Sequence, residues 1–220
     1  MIYFFTLVLV LFVSFILYRS IVEPAYAFFF KKPIYVHFYP YPKKLTKPQS
    51  EFDFYKKLSP RLKKYFEHRV ASFIETYPFY GKEGLAITDQ VKVLIASTAI
   101  MLTFGMRTYL FTIIDRIIVY PDVYYSKSND NYHKGEFNPR MKAIVFSWKH
   151  FIEGYEISHD NLNLGLHEFS HVLHFQGTLN SDTSATIFSV TYQEIMEQIK
   201  RPLNYKRLIE SNYFRIYAYT

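Results

Sequence analysis

The sequence predicts an α+β domain that is rich in helices, contains a small mixed sheet and follows an N-terminal transmembrane helix. Three observations support this fold class: an uncharged apolar run at the N-terminus, several segments with helical periodicity, and two short runs of β-branched and aromatic residues. Half of the 220 residues are hydrophobic and a fifth are aromatic. That composition is sufficient for a core and argues against general disorder.

The first predicted element is a membrane anchor at residues 1–19. From Ile2 to Tyr18 the sequence IYFFTLVLVLFVSFILY has no charge, and its length is near the lower limit for a bilayer span. Basic residues follow this run and none precede it, so the positive-inside rule predicts a single-pass inner-membrane protein whose C-terminal body faces the cytoplasm. Two alternatives stay open, namely a signal peptide cleaved after Ala27 in AYA and a buried core helix.

Residues 20–50 are predicted to be a connector rich in proline and tyrosine. They hold five of the ten prolines, and closely spaced prolines remove backbone donors and disfavour helix. Residues 51–220 are then predicted to form one domain.

Start signals locate the first two helices of this domain. Ser59 is suited to the N-cap position and Pro60 to the first helical position. Thr88 and Asp89 start a second helix that ends near Gly105. Because this helix is apolar on almost every side, we expect it to be central.

Two strands are predicted at residues 116–121 (RIIVYP) and 142–148 (KAIVFSW), with a polar loop between them. The strand Ala143–Trp148 is expected to form the edge of a cleft, where it would align a substrate backbone by strand addition. An ordinary core strand is an equally good interpretation. A helix is predicted from about Asp160 to Gln176 with Gly177 as the C′ residue, followed by another over 184–200.

The sequence HEFSH at residues 167–171 predicts a metal site on that helix. Residues four apart lie on one face, about 6 Å apart along the axis, so His167 and His171 can bind one ion. Glu168 lies beside them and can act as general base and then as general acid. Zinc is the expected metal because it binds imidazole and carboxylate and tolerates an open catalytic position. The chain has no cysteine, so any further ligand must be His, Asp or Glu.

The third metal ligand is not evident from the residues alone. His174 lies about 10 Å from His167 along the helix axis, which is too far for a compact tetrahedral site. We therefore expect His174 to line the cleft or to contact one of the metal-binding residues. The arrangement of His174 and Gly177 excludes a metzincin. Downstream carboxylates are the other candidates: Glu194, Glu197 and Glu210.

The net charge of +7 does not predict nucleic-acid binding. The basic residues are spread along the chain, and no recognisable nucleic-acid motif accompanies them. A solvated basic surface or attraction to anionic lipid headgroups explains the charge equally well.

From about Leu58 to Thr220 the chain resembles the Mlc titration factor A family, the MtfA-like zinc peptidases of the gluzincin type. The resemblance depends on an ordered set of segments: SPRLKKYFEHRVASFI, VKVLIASTAIMLTFG, IIVYPDVY, AIVFSW and NLGLHEFSHVL. It implies a bacterial, zincin-like metallopeptidase domain that uses Zn²⁺, with aminopeptidase-like activity on a peptide substrate. The N-terminal apolar run lies outside the resemblance.

The same resemblance suggests a role for the C-terminal residues. The segment IYAYT (216–220) resembles a family segment whose tyrosine stabilises the tetrahedral intermediate, which would be Tyr219 here. The family's glutamate ligand would then lie just past Thr220, so the domain is expected to lack its C-terminal end and to bind zinc weakly. An alternative function follows from the family's name: a regulatory protein that sequesters a transcriptional repressor without catalysis.

Overall fold

The computed structural model describes residues 2–18, 20, 53–126, 130–156, 163–179, 182–202, 204 and 206. The chain divides into two compact units, Met1–Tyr39 and Pro40–Thr220. In the first unit, helix α1 spans Ile2–Leu17.

The transmembrane anchor predicted at residues 1–19 is not supported. Helix α1 has 16 residues, and at 1.5 Å per residue it is about 24 Å long, shorter than the roughly 30 Å hydrocarbon core of a bilayer. Within the described ranges, none of the helices combines the length and the hydropathy that a membrane span requires.

The second unit is helix-rich with a small sheet, as predicted. Its described helices are α2 (Asp53–Lys56), α3 (Pro60–Thr76), α4 (Asp89–Thr103), α5 (Trp148–Glu156), α6 (Leu164–Thr178) and α7 (Thr183–Lys200). Its strands are β1 (Phe79–Gly81), β2 (Arg116–Tyr120), β3 (Tyr124–Ser126), β4 (Asn131–His133), β5 (Gly135–Asn138) and β6 (Ala143–Ser147).

The main sheet has the strand order β1-β2-β6-β5. Strands β1, β2 and β6 are parallel, and β5 runs antiparallel to β6, so the sheet is mixed as predicted. Strands β3 and β4 form a separate antiparallel pair. Strand β5 is therefore an edge strand, and β6 is an inner strand buried along its whole length.

Helices α3 and α4 begin where the sequence predicted. The Ser59 hydroxyl accepts a hydrogen bond from the Leu62 N–H, and the Thr88 hydroxyl accepts one from the Val91 N–H. Helix α4 is buried on almost every side, which confirms its central position. The Arg69 guanidinium on α3 donates to the Phe104 carbonyl at 2.8 Å and thus joins α3 to the C-terminus of α4.

The two sheet faces pack against different partners. One face contributes to the main hydrophobic core together with helices α3, α4 and α6; its members are Ile117, Val119, Ile144 and Phe146. On the other face, Ile118, Ala143 and Val145 pack with Tyr124 of strand β3. Because alternate residues of a strand point to opposite faces, this division also assigns the side chains of β5 through its pairing with β6.

Three sequence predictions are corrected by this arrangement. The predicted cleft edge at Ala143–Trp148 is wrong, because β6 lies between β2 and β5 and its place at the edge is taken by Gly135–Asn138. The segment predicted as a polar loop contains strands β4 and β5. Gly177 is not a C′ residue but a buried residue inside α6, where a Cβ would lie 2.1 Å from the Ala185 carbonyl oxygen.

Candidate metal centre

Helix α6 is held so that one face enters the core and another is left open. The Asn163 side chain caps the helix by accepting a 2.9 Å hydrogen bond from the Leu166 N–H. Phe169, Val172 and Leu173 are buried in the main core. His167 and His171 are on a different side of the helix, where both are partly accessible to solvent and His167 is the more exposed of the two. The helix therefore presents both imidazoles at an accessible surface.

The two imidazoles converge on one point. Their Nε2 atoms are 3.1 Å apart, and the rings are perpendicular with centroids 4.6 Å apart. Two nitrogens bound to one tetrahedral zinc ion at about 2.0–2.1 Å would be separated by about 3.3 Å. The observed separation and the pair of imidazole donors therefore fit a zinc ion.

The environment also favours the neutral form of both histidines. Partial burial lowers the pKa of His167, and it lowers the pKa of His171 with further contributions from His167 and His174. A neutral imidazole has the free nitrogen lone pair that a metal requires. The lowered pKa values therefore favour the form of both rings that can bind a metal ion.

Glu168 follows His167 on the helix and is buried. The pKa of its carboxyl group is raised to about 7: burial raises it most, a hydrogen bond from the Phe137 backbone N–H lowers it, and the negative charge of Glu136 raises it. A carboxyl group whose pKa is close to neutral can both accept and donate a proton at physiological pH. The environment of Glu168 thus suits a general base that later acts as an acid.

Strand β5 approaches the motif helix closely at Gly135, a residue that the sequence reasoning missed. A Cβ at this position would lie 2.8 Å from Glu168 Oε1 and 2.9 Å from Leu164 Cδ1. The absence of a side chain at Gly135 is therefore what allows the edge strand and the Glu168 carboxyl group to contact each other. The next two residues also act on this carboxyl group, through the charge of Glu136 and the N–H of Phe137.

His174 is held by helix α7. Its Nδ1 atom forms a 2.9 Å hydrogen bond with the Ser189 hydroxyl, and its ring centroid is 4.8 Å from that of Tyr192. The charge of His174 still acts on His171, whose pKa it lowers. His174 therefore contributes to the environment of a predicted ligand while it anchors α6 to α7.

A third protein ligand is not found in the part of the chain that the structure describes. There, no group of three or more His, Cys, Asp or Glu side chains is close enough to hold one metal ion. Glu194 and Glu197 are exposed on α7 and do not join the histidine pair. Glu210 and Tyr219 lie outside the described residues, so their roles stay predictions.

Comparison with known proteins identifies the family to which the chain belongs. Residues 31–218 match the model of the Peptidase_M90 family, described as glucose-regulated metallo-peptidase M90. A relative from Synechocystis sp. strain PCC 6803, named "Uncharacterized protein slr2042", is 26% identical over 172 residues, which cover 68% of this chain and 62% of the relative. The chain thus spans less than two thirds of that relative's length. The match over most of its length shows that the chain belongs to the Peptidase_M90 family of metallopeptidases, for which a metal, usually zinc, is expected.

Proposed function

We propose that this chain is a zinc-dependent metallopeptidase that uses His167 and His171 as metal ligands and Glu168 as the general base. The observation that carries the proposal is the 3.1 Å separation of the two Nε2 atoms beside a buried carboxyl group. Family membership supports the reaction class, and the resemblance to the Mlc titration factor A family supports aminopeptidase-like activity.

A zinc ion held by the two imidazoles would polarise the scissile carbonyl group and make a nearby water molecule more acidic. In the ionised state, Glu168 takes one proton from the attacking water as the new carbon–oxygen bond forms. It then gives this proton to the leaving amine as the carbon–nitrogen bond breaks. Tyr219 would stabilise the negatively charged oxygen of the intermediate.

Strand β5 supplies a surface for the peptide backbone. Within the described ranges β5 pairs with one strand, β6, so a substrate strand could add along its other side, beside the Phe137 N–H that bonds the Glu168 carboxyl group. Backbone hydrogen bonds to this side would hold an extended substrate without regard to its sequence. Gly135 brings this side of the strand next to Glu168, so a peptide bound there would lie beside the histidine pair.

The proposal is tested by measuring zinc content and peptide hydrolysis for the wild type and for Glu168→Gln. We expect the variant to keep its zinc and to lose at least about 100-fold in kcat, because general acid–base catalysis contributes roughly 10²–10⁴-fold. Glu153→Gln on α5 is the matched control, since Glu153 is exposed. Wild-type turnover in Glu168→Gln would refute the role assigned to this carboxyl group.

A further inference from the structure

An aromatic pair lies one helical turn beyond the histidines. Phe175 follows His171 by four residues on α6, which is about 6 Å along the helix axis. Its ring is 5.7 Å from that of Phe137 on strand β5, at an interplanar angle of 63°. Phe175 is 39% exposed, so the pair presents a solvent-accessible aromatic surface next to the predicted metal ligands.

Phe137 faces the same side of the sheet as the motif helix. It pairs with Ile144, and Gly135 pairs with Phe146; both partners belong to the core that contains Phe169 of α6. Directly paired residues point to the same face, so Gly135 and Phe137 both face α6. Strand β5 therefore places Gly135, which has no side chain, beside Glu168, and it places the Phe137 ring against Phe175.

The spacing of these groups matches that of an extended peptide. Two residues along a strand cover about 6.8 Å, which is close to the helical rise of about 6 Å between His171 and Phe175. A peptide bound along the outer side of β5 with its scissile bond near the histidines would thus bring a neighbouring side chain onto the aromatic pair. That side chain would lie within two residues of the scissile bond.

We propose that Phe137 and Phe175 form an apolar subsite for a hydrophobic substrate side chain, such as that of leucine, within two residues of the scissile bond. This inference rests on the proposed peptidase function and adds a substrate class to it. The two rings offer apolar surface that a bound leucine side chain would remove from water. The continuity of this surface with the histidine pair and with the strand edge favours a substrate residue as its occupant.

The test measures kcat/KM of the zinc-loaded full chain on peptides that differ only in having Leu, Ala or Asp at each position flanking the scissile bond. At one position we expect a preference of about 10-fold or more for Leu over Ala, the range for small apolar differences in a hydrophobic pocket. Phe175→Ala should reduce this ratio to about 1–3, and Phe175→Leu should retain most of it. Ile187→Ala is the matched control, because Ile187 is 63% exposed on the neighbouring helix.

A binding measurement separates the subsite from the catalytic proposal. Amino-acid hydroxamates bind zinc without being hydrolysed, so the affinities of leucine and glycine hydroxamate can be compared by calorimetry. Tighter binding of the leucine compound, lost in Phe175→Ala and kept in Ile187→Ala, supports the subsite whether or not peptides are cleaved. Equal affinities in the wild type, or no binding of either compound, would overturn it. Absence of all peptide hydrolysis together with a leucine preference would count against the proposed function alone.

Discussion

Substitution of Gly135 by alanine tests the contact between the edge strand and the general base. The added methyl group would lie 2.8 Å from Glu168 Oε1, whereas ordinary contacts begin at 3.4 Å, so the two groups must separate by about 0.6 Å. The nearest atoms belong to side chains, so the fold can adjust while the Glu168 carboxyl group moves. A displacement of 1 Å at a catalytic group costs up to roughly 100-fold, and we therefore expect kcat to fall by about 10- to 100-fold.

The assay measures kcat, KM and zinc content of Gly135→Ala beside those of Gly105→Ala. Gly105 is the matched control because a Cβ there meets no atom within 4 Å. The expected result is a lower kcat with full zinc content for Gly135→Ala and wild-type values for the control. Unchanged kcat in Gly135→Ala would refute the argument that the missing side chain positions Glu168.

Three other predictions concern stability. In the metal-free chain, the raised pKa of Glu168, about 7 against 4.5, means that the stabilisation present below pH 4.5 is lost as the pH rises through about 7. In urea unfolding with EDTA, the free energy of unfolding should therefore fall by up to about 3 kcal/mol between pH 5 and pH 8, and this fall should be absent in Glu168→Gln. The same fall in the wild type and in the variant would contradict this. Gly177→Ala places a methyl group 2.1 Å from the Ala185 carbonyl oxygen and should cost about 1–3 kcal/mol or more, so an unchanged melting temperature would contradict the close helix contact. Gln176→Leu removes the acceptor of the 2.8 Å hydrogen bond from the Thr112 N–H and should lower the free energy of unfolding by about 1–3 kcal/mol; a wild-type value would show that this bond is not needed.

Local signals predicted helices α3, α4, α6 and α7, whereas α2 and α5 were not predicted. Ser59 and Thr88 cap their helices through a side-chain oxygen that accepts a nearby backbone N–H, an interaction that depends only on residues a few positions apart. The convergence of His167 and His171 follows from helix geometry alone, given four-residue spacing. These features could be predicted because the interacting groups are neighbours in the sequence.

The edge strand could not be predicted in the same way. The residues of β5, GEFN, have no clear apolar alternation, and their strand conformation depends on pairing with β6. Gly177 was misplaced for a related reason, since its position is determined by the crossing of α6 and α7 and not by a helix end. The burial of Glu168 likewise depends on its contact with Gly135, a residue that is far from it in the sequence.

The central claim is that His167 and His171 bind one zinc ion, and X-ray absorption spectroscopy of the zinc-loaded chain tests it most directly. The account predicts scattering from two imidazole nitrogens at about 2.0–2.1 Å from the metal. In the double variant His167→Ala/His171→Ala, stoichiometric zinc binding should be lost. Zinc bound with unchanged stoichiometry in the double variant, or a wild-type spectrum without imidazole scattering, would contradict the account.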